Sequence, residues 1–212
     1  MKLVYFDVYG RAEPIRMLLN HAKVEFEDFR IGFAEWPALK AGDNPVLEFE
    51  QVPVLVLDNG KVLSQTKAIM RYLGLQYGYL PTDAYEAYLV DSYLDAFNDL
   101  MHPFALARWE KDEEKKKEIL ANWLANTFPK FLTAFEKRLE SQGHSKFLVG
   151  EKLTIADFSF SSLISVIVYN ELSETSATLR ETYETFPRLK EYAHNMKEIF
   201  NDYLESRPKR PM

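Results

Sequence analysis

Cysteine is missing from this 212-residue chain. That excludes a disulfide framework, a cysteine nucleophile and any thiolate metal site, and it suits a reducing compartment, so a cytoplasmic location is expected. No run of about 18 apolar residues occurs, so no membrane span is expected. The opening Met1-Lys2-Leu3-Val4-Tyr5-Phe6-Asp7 is interrupted by Asp7, Arg11 and Glu13, too early for the apolar core of a signal peptide. Positive charge is in deficit: 26 basic against 32 acidic residues give a net charge of −6. Nucleic acid is therefore not an expected partner, because phosphates call for a basic face. The four histidines, His21, His102, His144 and His194, show no ligand or triad spacing, and no metal is expected.

Apolar residues make up 47% of the chain and aromatic residues 14%, ample for a packed core and against disorder. Their texture changes along the sequence. Up to about residue 78, short apolar runs alternate with helical patterns. Leu3 to Phe6 reads as a strand. Ile15, Leu18, Leu19 and Ala22 then fall on one helix face, with Pro14 in the first turn. Phe26 to Ile31 is a weaker strand, followed by a loop with room for a short helix. Val54 to Leu57 is a third strand, and Asp58-Asn59-Gly60 predicts a two-residue Asn-Gly hairpin turn, with φ > 0 at both, returning through Val62-Leu63. A helix through Ile69, Tyr72 and Leu73 closes this unit. Strands interleaved with helices at this spacing predict a small α/β sheet.

After Gly78 the strand signals stop. Pro81-Thr82-Asp83 opens a long helix, with Thr82 or Asp83 as N-cap, whose apolar side runs Tyr85, Tyr88, Leu89, Tyr93, Ala96, Leu100 and Phe104. A second long helical pattern follows the mixed charge run Glu110 to Glu118, which reads as a solvated helix start, and Pro129 predicts a kink or break in it. Thr154-Ile155-Ala156-Asp157 is a capping box, making Asp157 structural. Shorter helices fill the rest to about Leu204, and the basic end Arg207-Pro208-Lys209-Arg210 reads as frayed. Asp91, Asp95 and Asp99 share a helix face that reads as solvated, with Asp99 as the exception.

Three features carry chemistry. Tyr5 lies in a strand six residues before Arg11, which opens a helix. A phenol can donate to a thiolate and favour its charged form; taken alone, a strand tyrosine is more often a core aromatic. Gln51-Val52-Pro53 puts proline at a strand start, either an ordinary trans bond or a cis one that turns the Val52 backbone toward a peptide-like ligand. Ser64-Gln65-Thr66 at a helix start offers N–H groups and hydroxyls to a carboxylate, or is plain capping by Ser64.

Together these stretches resemble the tyrosine-using cytosolic glutathione transferases of the sigma, mu and pi classes. The resemblance rests on Tyr5-Phe6-Asp7-Val8-Tyr9-Gly10-Arg11-Ala12-Glu13, Glu35-Trp36-Pro37 with Lys40, Gln51-Val52-Pro53, and Ser64-Gln65-Thr66 with Ala68-Ile69 and Arg71-Tyr72-Leu73. It extends through Leu148-Val149-Gly150, Ala156-Asp157 and Phe186-Pro187 with Leu189, in order over nearly the whole chain. Trp36 and Lys40 bring it nearest the sigma class. Three departures stand out: Thr66 where the family usually has serine, a longer stretch from Lys40 to Pro53, and an uncharged Gln51.

The resemblance implies an α/β thioredoxin-like glutathione-binding domain over residues 1–78 and an all-α domain over 79–212 that adds the electrophile site. It implies Tyr5 as the hydroxyl that stabilises the glutathione thiolate, with Arg11 supporting it electrostatically. Trp36 and Lys40 would hold the glycyl end, Val52 before a cis Pro53 the cysteinyl backbone, and Gln65 and Thr66 the γ-glutamyl carboxylate. Gln51 would add a hydrogen bond, and Asp99 would reach the γ-glutamyl ammonium in a partner subunit. Phe49 would be the aromatic key of a homodimer. Val8, Tyr9, Phe104 and Arg108 would border the electrophile site, Arg108 orienting an acidic substrate or pairing with Glu110. The implied activity is conjugation of glutathione, as co-substrate, to hydrophobic electrophiles in detoxification. A glutathione-dependent isomerase or peroxidase of the prostaglandin-synthase kind, and a non-catalytic carrier or crystallin of the same fold, are the alternatives.

Overall fold

Alternation along the first strand decides how the molecule is layered. The computed structural model describes residues 1–41, 46–144 and 146–212; residues 42–45, inside the stretch from Lys40 to Pro53, lie outside it. In β1 (Lys2–Phe6), Leu3 and Tyr5 point into the core while Lys2, Val4 and Phe6 face the other way. β1 pairs in parallel with β2 (Glu27–Ile31) and antiparallel with β3 (Val54–Val56), which pairs antiparallel with β4 (Val62–Ser64). The sheet order is therefore β2-β1-β3-β4. Between β1 and β2 runs α1 (Glu13–His21), with Pro14 in its first turn, and after β2 comes the short α2 (Trp36–Ala41). α3 (Thr66–Tyr77) follows β4 and ends at Gly78, in the left-handed conformation that favours glycine.

The hairpin between β3 and β4 differs from its sequence expectation. Only Gly60 has positive φ, at +82°; Asn59 does not. The Gly60 N–H donates to the Leu57 carbonyl and the Leu57 N–H to the Lys61 carbonyl, 2.9 and 2.8 Å, and the Asn59 side chain accepts from the Lys61 N–H. This is a three-residue loop, a turn closed by a left-handed glycine, because Asn59 is used as a side-chain acceptor and not for its backbone freedom.

The rest is helical. α4 (Ala84–Trp109) is capped by Asp83, whose carboxylate accepts from the N–H groups of Tyr85 and Glu86. Its buried face runs through Val90, Tyr93, Leu94, Phe97 and Leu100; Tyr85 and Tyr88, expected on the apolar side, are 67% and 59% exposed and stack on each other. α5 (Glu113–Asn122) passes through one wide π-type turn at Trp123–Thr127 into α6 (Phe128–Gln142). Pro129 lacks the donor an unbroken α-helix needs there, and the chain loosens one turn earlier. α7 (Ile155–Leu163), α8 (Ser176–Tyr183), α9 (Pro187–Ile199) and α10 (Asn201–Ser206) complete the chain, α7 packing on both α1 and α4.

Asp157 anchors this helical core. Fully buried, its carboxylate accepts from the Thr154 and Leu148 N–H groups at 2.7 and 2.8 Å and from the Thr154 and Tyr192 hydroxyls at 3.0 and 3.2 Å. Burial pushes its carboxyl up to about 6 against the pull of those donors. The aspartate stripe on α4 is not simply solvated, because Asp91 and Asp95 pair with Arg71 and Lys67 of α3 and lace the two helices together. The basic C-terminal end is not frayed either. Arg207 reaches the buried Glu13 at 2.6 Å, and the Arg210 guanidinium grips Asp7 at 2.9 Å.

Candidate active site

The chain leaving β1 wraps around the Tyr5 ring. Tyr5 is 7% exposed and its hydroxyl accepts a hydrogen bond from the Arg11 backbone N–H at 3.0 Å. Gly10 makes this possible twice over: its φ is +46°, and a Cβ placed on it would lie 2.6 Å from the Tyr5 hydroxyl oxygen. The expected support from Arg11 thus comes first through its main chain, with its exposed guanidinium adding charge at a distance. Burial raises the phenol above its ordinary pKa, opposed by the Arg11 N–H and then by the positive charges of Arg11 and Arg16. The phenol is therefore protonated at neutral pH. Among the described residues nothing accepts its O–H, so the donor is open to a ligand.

Arg16, which sequence reasoning passed over, holds this turn from below. It is 1% exposed, bonds Asp28 through Nε at 3.0 Å, and donates from Nη1 to the Val8 and Tyr9 carbonyls at 2.8 and 3.1 Å. Its guanidinium carbon lies 5.8 Å from the centre of the Tyr5 ring. The signal was an arginine beside Ile15 on the apolar side of an amphipathic helix, three residues from Glu13.

The other residues expected to meet glutathione are brought together only in part. The Val52–Pro53 bond is cis. Gln65 holds φ +71°, a left-handed conformation unusual away from glycine, and is the N-cap residue of α3; Ser64 is not. The Gln65 side chain donates to the Gln51 carbonyl oxygen at 3.4 Å, and the Thr66 hydroxyl donates to the Arg11 carbonyl at 3.3 Å. The α3 start and the Tyr5 turn are thereby tied through Arg11. Trp36 meets Phe6 edge-on at 5.3 Å and borders a cleft of about 310 Å³ with Val4, Leu39 and Val52. Lys40 is engaged by Glu50 at 3.3 Å, an exposed and exchangeable pairing. Asp99 is exposed and, unlike Asp91 and Asp95, has no ion-pair partner among the described residues.

On the electrophile side the structure rearranges the expectations. Tyr9 is 3% exposed: its hydroxyl accepts from the Arg210 N–H at 3.0 Å and Arg207 lies over its ring at 4.2 Å, so the C-terminal residues cover it. Val8 is buried beside it. Phe104 packs on Trp123 at 5.0 Å, within the helical unit. Arg108 is exposed without an ion-pair partner among the described residues, and Glu110 pairs with Lys115 instead. Phe33 and Trp109, not anticipated, meet across the two units at 6.5 Å, and Phe33 stacks on Phe6 at 4.7 Å. Both are more than half exposed. Their sequence contexts carry no periodic signal that would have singled them out.

A sequence profile described as "Glutathione S-transferase, N-terminal domain" matches residues 1–74, and one described as "Glutathione S-transferase, C-terminal domain" matches residues 98–207. This chain belongs to the glutathione S-transferase family. It is 33% identical to glutathione S-transferase 1 of Ascaris suum, over 99% of this chain and 98% of that protein. Its fold is similar to prostaglandin synthase D of Nilaparvata lugens, with TM-score 0.83 and 29% identity over 98% of both chains. It is also similar to a monomeric glutathione S-transferase from the hookworm Necator americanus, with TM-score 0.81 and 30% identity over 100% of this chain and 98% of that one.

Family membership makes the chain a transferase and makes glutathione its co-substrate. The small mixed sheet followed by a helical domain is the family's architecture, as the α/β thioredoxin-like and all-α expectation had it. Among the described residues no helix is long and apolar enough to cross a membrane.

Proposed function

We propose that this glutathione S-transferase ionises the glutathione thiol against the Tyr5 hydroxyl and adds the thiolate to a hydrophobic electrophile. The observation that carries the reading is the Tyr5 O–H itself: fixed by the Arg11 N–H, kept neutral by burial, and without an acceptor among the described residues. A free thiol has a pKa of about 8.5, so only a few per cent is ionised near neutrality. Lowering it by about 2 units takes about 2.7 kcal/mol, within the range of one charge-assisted bond aided by nearby positive charge. The thiol proton leaves to solvent. With an aryl halide, the sulfur–carbon bond forms as halide departs; with an activated alkene, the carbanion takes a proton from water.

In this reading the unit of residues 1–78 holds glutathione, and 79–212 completes the electrophile side. Gln65 and Thr66 take the γ-glutamyl carboxylate at the start of α3, with Gln51 beside them. The Val52 backbone pairs with the cysteinyl residue before cis Pro53, and Trp36 and Lys40 take the glycyl end once Lys40 leaves Glu50. Phe33, Trp109 and Arg108 join Phe104 as the cleft's borders, and Tyr9, covered by the C-terminal residues, drops out. Trp36 and Lys40 support placement near the sigma class, and a cytoplasmic site of action suits a cysteine-free chain.

The similarity to prostaglandin synthase D supports a second reading, isomerisation of an endoperoxide by the same thiolate. The deciding experiment supplies purified protein with glutathione and either an aryl halide or a prostaglandin endoperoxide, and identifies the products. Conjugate is the expected main product; isomer with no conjugate would replace the first reading by the second.

We further propose a homodimer, with Phe49, 53% exposed, as the residue inserted into the partner and Asp99 directed at the partner's glutathione ammonium. The exposed Leu75, Tyr85 and Tyr88 support an apolar interface. Sedimentation is expected to give a dimer that Phe49→Ala weakens at least about tenfold in dissociation constant. A wild-type monomer would refute this.

A further inference from the structure

The turn after β1 is held by the far end of the chain. Its polar groups can be followed one by one. The Asp7 N–H donates to the Ile31 carbonyl and the Val8 N–H to the Phe6 carbonyl. The Val8 and Tyr9 carbonyls accept from Arg16. The Tyr9 N–H donates to the main-chain oxygen of Met212 at 2.8 Å, and the Tyr9 hydroxyl accepts from the Arg210 N–H. Tyr9 is thus gripped at both its backbone and its side chain by residues some two hundred positions away.

Charge closes the same circuit. Arg210 meets Asp7 at 2.9 Å, Asp7 meets Arg30 at 3.2 Å, and Arg30 meets Asp28 at 2.7 Å. Asp28 meets Arg16 at 3.0 Å, Arg16 meets Glu13 at 3.4 Å, and Glu13 meets Arg207 at 2.6 Å. Signs alternate at every step, and the circuit starts and finishes on the C-terminal segment. It encloses Val8 and Tyr9 and stands immediately before Gly10 and Arg11, which set the Tyr5 hydroxyl. The Asn170 side chain, which donates to the Arg210 carbonyl at 3.0 Å, fastens the segment to the helical unit.

We propose that the C-terminal segment serves the active site through Arg210 and the Met212 main chain, which position the β1–α1 turn so that the Arg11 N–H stays on the Tyr5 hydroxyl. Arg210 is a positioning residue. Among the described residues no hydrogen bond joins it to the Tyr5 hydroxyl, and it acts through Asp7 and Tyr9. Lysine cannot reproduce its paired bonds to Asp7.

This inference rests on the role given to Tyr5, so the test separates the two. Four proteins are compared with wild type: Arg210→Met, Arg210→Lys, a chain ending at Pro208 that keeps the Arg207–Glu13 contact, and Lys209→Ala, whose side chain has no bond among the described residues. Hydrogen exchange of residues 7–12 reports the turn directly, and the bound glutathione thiol is titrated by its ultraviolet thiolate absorbance. Arg210→Met and the shortened chain are expected to exchange faster in this turn, raise the bound thiol pKa and lower kcat at least about fivefold, with KM for glutathione within about twofold. Arg210→Lys should fall between, and Lys209→Ala should match wild type. Unchanged exchange, or faster exchange with unaltered thiol titration and kcat, would overturn the proposal. If Tyr5→Phe also left the thiol titration unaltered, the fault would lie in the role of Tyr5, and unchanged exchange would still count separately against the C-terminal clamp.

Discussion

Tyr5→Phe is expected to bind glutathione about as wild type does and to lose at least about tenfold in kcat/KM, about 1.4 kcal/mol or more of transition-state stabilisation. The substitution removes one oxygen from a site built around it. The ring still fills its place in the core, Arg16 still lies beneath it, and the Arg11 N–H loses its acceptor. What disappears is the donor that the proposed function directs at the sulfur. The bound thiol then titrates near its free value of about 8.5. The variant's rate should climb with pH through that value while wild type has already levelled off, so the deficit narrows as the medium becomes alkaline. Rates measured across that range with an aryl halide, together with glutathione affinity, check both parts. Equal turnover in the two proteins, or a deficit that does not change with pH, would contradict the thiolate role.

Asp157→Ala is expected to cost about 3 kcal/mol or more in unfolding free energy, measured by denaturant titration. The alanine leaves the Leu148 and Thr154 N–H groups, both buried, without their acceptor, and it strips the start of α7 of its cap. Asp157→Asn should cost less, since one carbonyl oxygen remains. The pH dependence has a definite sign. The folded-state pKa, about 6, lies above the ordinary 3.8, so between those values the folded chain keeps a proton that the unfolded chain has released. This group's contribution is fully present below the window and declines as pH rises through it. The stability gap between wild type and Asp157→Asn should therefore narrow with rising pH across the window. A gap that widens would reverse the assignment.

Much of this was legible in the residues, and the physical reasons differ from place to place. The Thr154 to Asp157 box and the Asp83 cap are local chemistry, fixed by neighbours within four residues, and they form as read. The Pro129 break is equally local, since one missing donor suffices. The α4 face was misjudged at Tyr85 and Tyr88 because periodicity ranks a tyrosine as apolar whether or not a second surface covers it, and none does among the described residues. The expectation of a frayed C-terminus failed for the opposite reason. Composition shows four residues rich in charge, while the acids that hold them, Glu13 and Asp7, stand at the other end of the sequence. Tyr9 went with them: its place in a family motif pointed to the cleft, and only the fold puts Arg207 and Arg210 on top of it. Arg16 and Gly10 were present in the motif, but their parts depend on atoms that meet in space, an orphan pair of carbonyls and a hydroxyl with no room for a methyl group.

The meeting of Phe33 with Trp109 has a kinetic consequence. One ring belongs to the sheet unit and the other to the end of α4, and both stand more than half in solvent. Side chains so placed swivel within picoseconds to nanoseconds, far faster than backbone segments shift. In the proposed reading, where these two rings border the electrophile cleft, their swivelling is fast enough to admit a guest without either half of the molecule swinging.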